Sequence, residues 1–266
     1  MTPYSGMLPG FVAGHYTYEE CHIDLSRLCE FSKVHLIHCE ANKIDMREKK
    51  VWCSDGRPPI PYDVLSIDIG ISPSINVSLP DGFEVDELLV PVKPIDKFTK
   101  RFDSILGSIM NNEEGESKSR RVVVVGGGAG GTELAMSLSY RLEVESEHPI
   151  SMILVHRGPA LLQSHNKKVQ EKVLRICTQE RGVDVMLDTD IVRVEVREGG
   201  QKVLVGKTVK EEEGKSEEDV CFDIEFDDCI WCTMASSQSW IKDIDGLELN
   251  EEGFICVENT LQVFLP

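Results

Sequence analysis

Four consecutive valines, Val122 to Val125, form the purest apolar run in the chain. A short run of this kind, ended by glycine, predicts a strand buried on both faces, as in a parallel sheet. After it, Leu134 to Leu142 reads as a helix, and Ile150 to Gly158 as a second strand. His165, Val169, Val173 and Ile176 then recur at helical spacing, which predicts a crossover helix laid over the sheet. Strands that alternate with helices are the pattern of βαβ units, so the fold class is α/β.

On the N-terminal side, Lys33 to Ala41 and Tyr62 to Gly70 read as strands, with a hairpin turn at Ser54-Asp55-Gly56. Phe98, Phe102, Ile105 and Ile109 predict a helix across Ile95 to Met110. Three short strands are expected near the C-terminus, in Phe222 to Phe226, Asp227 to Thr233 and Glu252 to Val257. Asn111 to Ser119 and Lys210 to Asp219 combine like charges with Gly and Ser and read as solvated loops. A domain boundary is placed near Ser119.

Composition narrows the function classes. The chain has 266 residues, enough for one large domain or two modest ones. Its 28 Lys and Arg face 46 Asp and Glu, giving −18, a field that repels nucleic acid and anionic lipid. With 41% hydrophobic and 28% charged residues it has the composition of a soluble globular protein, and no apolar stretch is long enough to span a bilayer. The first basic residue is Arg27, so the start has the look of neither a secretory signal nor a transit peptide. Nine cysteines, an odd number, favour reduced thiols and a cytoplasmic address.

The chemistry sits after the valines, in Gly126-Gly127-Gly128-Ala129-Gly130-Gly131-Thr132-Glu133. This G-x-G-x-x-G follows a strand and opens a helix, the context that a dinucleotide-binding fingerprint requires. Gly126 allows a tight turn, Gly128 lets the backbone approach a pyrophosphate, and Gly131 lets helix and strand pack closely. The helix N-terminus offers N–H groups and partial positive charge to phosphates. The bland reading is a tight βα turn in some other α/β fold. The second strand ends in His156 and Arg157 where an acid would contact the ribose of NAD; Arg157 points toward the 2′-phosphate of NADP, or simply toward solvent. Glu133 either complements the helix dipole or lies beside a bound nicotinamide.

Other candidates fall away. Cys229 and Cys232 have redox spacing but lie on a strand-like run, where i and i+3 point to opposite faces. His35 and His38 diverge in the same way. Cys21, His22 and Cys29 fit no zinc spacing, so no metal site is assigned. Ser5 has no catalytic partners nearby.

With these motifs in place, the chain resembles flavoproteins of the pyridine nucleotide–disulfide oxidoreductase superfamily. In particular it resembles the type II NADH dehydrogenase-like flavoprotein domain associated with selenide, water dikinase. The residues carrying this are Thr2 to Gly10, Glu19 to Leu25, Tyr62 to Gly70 and Pro91 to Asp96. The resemblance implies a two-dinucleotide-binding-domain flavoprotein, with a Rossmann-like NAD(P) domain at 119–228 inserted in an FAD domain made of 1–118 and 229–266. It matches Asp63, Leu65, Gly70 and Pro73 to a crossover strand of the form D-x-L-x-x-x-x-G-x-x-P, with Asp68 and Ile69 replacing the usual Ala-Thr. The returning strand matches a second such element, with Met234 where Gly is usual. Gly70 and Pro9 are thereby implied to border the cofactor, Pro9 lying in the Ser5 to Gly10 stretch near the flavin ring. Lys93 would lie on the connection between domains.

The first βαβ unit of an FAD domain would precede Thr2, and a G-D element would follow Glu258 to Val263, so the chain is expected to be a piece truncated at both ends. An organelle is then an alternative address, should an N-terminal segment be missing. The resemblance implies an FAD-dependent NAD(P)H oxidoreductase that passes hydride from nicotinamide to flavin and on to an unknown acceptor: a quinone, a small oxidant or a selenium compound. The cofactor supplies that chemistry, so no catalytic side chain is named. The competing expectation is a non-catalytic nucleotide-binding or interaction protein that cannot retain FAD.

Overall fold

The structure, a computed structural model, describes residues 1–73, 75–110, 120–209, 221–233 and 235–263. The expected loops at 111–119 and 210–219, and Met234, lie outside these residues. The chain divides into two compact units, one of residues 1–23 and 75–234, the other of 24–74 and 235–266. The expected insert at 119–228 lies wholly within the first unit, whose sheet also takes in Asp228–Trp231, paired along Arg120–Val125.

In the first unit a sheet of five parallel strands is built from β1 (Val90–Pro91), β2 (Arg120–Val125), β3 (Ile150–Val155), β4 (Asp184–Met186) and, after a meander, β8 (Asp228–Trp231). The meander consists of β5 (Thr189–Val196), β6 (Lys202–Thr208) and β7 (Cys221–Phe226), paired antiparallel. The parallel order is β4-β3-β2-β8-β1. Chain order runs outward from β2 through β3 to β4, then crosses to β8 on the other side of β2. The order therefore reverses between β2 and β8, the switch point at which open α/β sheets leave a crevice beyond their carboxyl ends.

The valines show why the sheet is buried on both faces. Val122 and Val124 pack into one core with Phe98, Phe102, Leu134 and Leu138. Val123 and Val125 pack into the other with Leu204, Ile224, Phe226 and Trp231. Successive side chains on a strand alternate faces, so helices α1 (Ile95–Met110) and α2 (Ala129–Glu145) cover one side and the meander the other. The helical spacing read across Ile95–Met110 is observed, with Phe98, Phe102, Ile105 and Ile109 all buried. α3 (Lys167–Arg175) presents Val173 and Leu174 to the first core, while His165 precedes the helix and is exposed.

The second unit has a small antiparallel sheet of Ala41–Asp45, Lys50–Cys53 and Ile60–Pro61, with the expected turn at Ser54-Asp55. Three expected strands are corrected here. Lys33–Ala41 forms a ladder only from Ala41 onward, because its start closes a helix: Lys33 is left-handed at φ 56° after Leu25–Ser32, and the Val34 amide donates to the Cys29 carbonyl at 2.8 Å. Tyr62–Gly70 keeps its alternation, with Leu65 and Ile67 packed near Ile241 and Ile244, but pairs with no strand among the described residues. Its continuation, Ser72–Pro73, does pair with Ala235–Ser236, joining the two elements that the resemblance treats as crossover strands. Glu252–Val257 contributes only isolated bridges, Leu249 with Ile255 and Val257 with Val263. Among the described residues, no helix is long and apolar enough to cross a membrane.

Candidate functional site: the glycine turn after the valine strand

β2 delivers the chain to the switch point, and each glycine there answers a different demand. Gly126 has φ +120°, and a Cβ on it would lie 2.2 Å from the Cys232 carbonyl oxygen just beyond β8. Gly131, buried on the first turn of α2, would place a Cβ 1.8 Å from the Gly126 carbonyl oxygen. Turn and helix thus touch backbone to backbone, which a side chain at either position would forbid. Gly127 is also filled in: its Cβ position is 2.6 Å from His156 Cγ and 2.7 Å from Leu161 Cδ2.

Gly128 is different. It is exposed, and a Cβ there would meet nothing within 4 Å. It is the N-cap of α2, without a side chain to cap it, and the first helical hydrogen bond in from the end is Thr132 N–H to Gly128 O at 3.0 Å. The amides at the start of a helix have no intrahelical acceptor, and here they stand on the exposed residues Ala129 and Gly130. Beneath them, Thr132 Oγ1 is buried with no hydrogen-bond partner among the described residues. An open backbone cradle at the positive end of a 17-residue helix is chemically suited to a diphosphate.

His156 frames one side of this cradle. It follows β3, and its backbone is tied on both sides, its amide to Met186 O at 2.8 Å and its carbonyl to Thr189 N–H at 3.0 Å. Burial holds its imidazole below the ordinary histidine range, with the Arg157 charge adding to the effect; a hydrogen bond with the Ala160 backbone and the charge of Asp188 oppose it. Nδ1 accepts from the Gly127 amide at 3.2 Å. Cys232 frames the other side, its Sγ 3.3 Å from the Cβ position of Gly130. Burial pushes that thiol up to about 11, against the opposing charge of Lys93, and burial also raises Cys229.

Of the residues singled out in the sequence, Gly126, Gly128 and Gly131 converge on one turn. Glu133 is exposed on the first turn of α2 and Arg157 is exposed next to His156. Pro9 lies elsewhere, in a surface cavity of ≈ 290 Å³ with Met136, Tyr140 and Arg181; Met136 is seven residues into α2, roughly 10 Å along its axis from the turn. Gly70 belongs to the other compact unit, exposed at φ +70° with open space around its Cβ position. Sequence reasoning passed over Gly127, whose contacts are all long-range, and saw His156 only as a missing acid. No group of three or more metal-ligating side chains occurs among the described residues.

A parallel sheet whose order reverses beside a glycine turn defines a protein of the dinucleotide-fold class. Residues 97–266 match the family described as pyridine nucleotide-disulphide oxidoreductase, and the chain belongs to that family. No curated protein matches the chain by sequence. Among solved structures it is similar to NDH2 from Plasmodium falciparum in complex with NADH, at TM-score 0.73 and 17% identity over 91% of this chain and 50% of that one. It is similar also to an NAD-dependent persulfide reductase from A. fulgidus, at TM-score 0.70 and 18% identity over 98% of this chain and 44% of that one. A third is the putidaredoxin reductase–putidaredoxin complex, at TM-score 0.69 and 17% identity over 93% of this chain and 53% of the other. The chain spans about half the length of the structures it matches, and all share the two-dinucleotide-binding flavoprotein fold.

Proposed function

We propose that this chain is the nicotinamide-nucleotide-binding part of an FAD-dependent NAD(P)H oxidoreductase. The observation that carries the reading is the open backbone cradle at Gly128 to Gly130, set at the N-terminus of α2 and at the reversal of strand order. In this reading the α2 amides bind the diphosphate, Gly126 and Gly131 keep the turn tight, and Glu133 orients the nicotinamide. Arg157, exposed just after β3 at the position where an acid would contact the ribose of NAD, favours NADPH over NADH. When bound, nicotinamide and flavin supply the hydride chemistry themselves, and the protein positions them.

The acceptor is a quinone, a small oxidant or a selenium compound; the last rests on the resemblance of Thr2 to Gly10 and its companion segments to flavoproteins associated with selenide, water dikinase. Pro9 and Gly70 are proposed flavin neighbours on the same resemblance. Residues 119–228 are taken as the nucleotide domain and the flanking segments as parts of the FAD domain. A cytoplasmic setting accords with nine cysteines that are all free thiols. The second reading, a nucleotide-binding or interaction protein without flavin, needs only the open cradle at Gly128 to Gly130.

Titration of the purified protein with NADPH and NADH, with flavin absorbance recorded alongside, tests both. Saturable nucleotide binding that Gly128→Val weakens at least about tenfold, in protein that carries flavin and oxidises NAD(P)H, is expected from the first reading. Colourless protein that still binds nucleotide selects the second. If neither nucleotide binds and Gly128→Val changes nothing, both are wrong.

A further inference from the structure

The cavity of ≈ 290 Å³ that Pro9 borders has walls from three separate stretches of the first unit. One wall is the turn that closes the short helix Leu8–Val12, where the Ala13 amide donates to Pro9 O at 2.9 Å and the His15 amide to Gly10 O at 2.8 Å. A second is the middle of α2, with Met136, Ser137 and Tyr140. The third begins where α3 runs on into a single π-helical turn, Ile176–Glu180, and it delivers Ile176 and Arg181. Such turns are rare and are frequent at functional sites. Arg181 is fixed at both ends of its peptide: its amide donates to Ile176 O at 2.9 Å, and its carbonyl accepts from Ser139 Oγ at 2.6 Å.

Pro9, Ala13, Met136 and Ile176 make much of the lining apolar. The polar groups meet around Tyr140. The Arg181 guanidinium lies over that ring, 5.6 Å from its centroid, and the His15 ring is tilted against it at 5.4 Å. Ser137 stands three residues before Tyr140, on the same face of α2. Among the described residues, the Ser137 hydroxyl and the His15 ring make no hydrogen bond, and the Arg181 side chain bonds only through Nη1, to Glu143 Oε2 at 3.0 Å. All three groups can donate, so a ligand that accepts is called for. Glu143 already balances the Arg181 charge, and the whole chain carries −18, so an anion gains little here. A neutral carbonyl oxygen takes the idle donors without bringing a charge. Apolar walls and a volume at the small end of ligand sites suit about two fused rings.

We propose that this cavity binds a small, neutral, planar aromatic compound that carries a carbonyl group. Its rings rest against Tyr140 and the apolar walls, and its oxygen accepts from Arg181 and Ser137. The site lies roughly 10 Å along α2 from the glycine turn and does not depend on the nucleotide reading.

Ligand-observed NMR on the whole chain tests this with two probes: coumarin, a neutral two-ring lactone, and coumarin-3-carboxylate, the same rings with a negative charge. Coumarin should bind saturably and at least about fivefold tighter than the carboxylate. Arg181→Met keeps the apolar stem and withdraws the donors, so it should weaken coumarin at least about tenfold. Ser137→Phe fills the cavity and should abolish saturable binding. Excess NADPH should leave the coumarin signal unchanged. No saturable binding, tighter binding of the carboxylate, unchanged affinity in either folded variant, or displacement by NADPH overturns the proposal. Melting curves establish that each variant is folded, and should one of them fail to fold, the other variant and the two wild-type comparisons decide.

Discussion

The Gly127 amide donates to Nδ1 of His156 at 3.2 Å, fastening the second residue of the glycine turn to the end of the neighbouring strand. The bond requires an unprotonated Nδ1, so it holds only with the neutral ring. Burial lowers the folded-state pKa of His156, whereas the unfolded chain titrates near the ordinary value of about 6.5. Below that pH the unfolded state binds the extra proton first, so this contribution to stability is full above about pH 6.5 and declines as the pH falls. Melting temperatures of wild type and His156→Leu between pH 8 and pH 5 should differ in slope, with the acid-side loss smaller in the variant. Parallel curves would mean that His156 does not couple to the turn.

The glycines of the turn should separate by role. Gly131→Ala forces a Cβ against the Gly126 carbonyl oxygen, an overpacking that costs about 1–3 kcal/mol. Gly128→Ser meets no neighbour, and serine is a favoured N-cap, so stability should stay within about 0.5 kcal/mol of wild type. The serine hydroxyl would, however, compete for the amides assigned to the diphosphate, so NADPH affinity should fall while the melting temperature does not. Denaturant titration beside nucleotide titration reads the two separately.

Arg120 and Asp228 join β2 to β8 by an ion pair of 2.8 Å with side chains only 19% and 14% exposed. Removing the carboxylate takes a charge-assisted hydrogen bond from a part-buried guanidinium, so Asp228→Ala should cost about 1–3 kcal/mol. The surface pair Arg47 with Asp245, 84% and 81% exposed, should be nearly silent on removal. Urea midpoints of Asp228→Ala and Asp245→Ala give the comparison.

Phe102 sits between two rings, with centroids 5.4 Å from Phe11 and 5.6 Å from Phe98, and is 1% exposed. Phe102→Ala should destabilise the first unit by about 3–5 kcal/mol. A markedly smaller loss in the same denaturant assay would show that the helix α1 face is not packed as described.

The parts of the fold legible in the sequence were those with a strong local signature. Val122 to Val125 announced β2 because a both-faces-buried strand tolerates nothing polar, and Phe98 to Ile109 announced α1 because one face repeats at the helical period. The glycine turn was legible because strand, glycines and helix are contiguous. Lys33 to Ala41 and Tyr62 to Gly70 misled because alternation records which side chains turn inward and not whether a neighbouring strand is present to pair. The role of His156 was out of reach, since its bond to Gly127 spans the β2–β3 crossover and no spacing rule connects the two.

At one edge of the parallel sheet, β1 has just Val90 and Pro91, set against Ile230 and Trp231. Proline carries no amide hydrogen, and so short a border gives an incoming strand almost nothing to zip onto. The protein therefore offers a second molecule almost no strand to pair with on that flank of its parallel sheet.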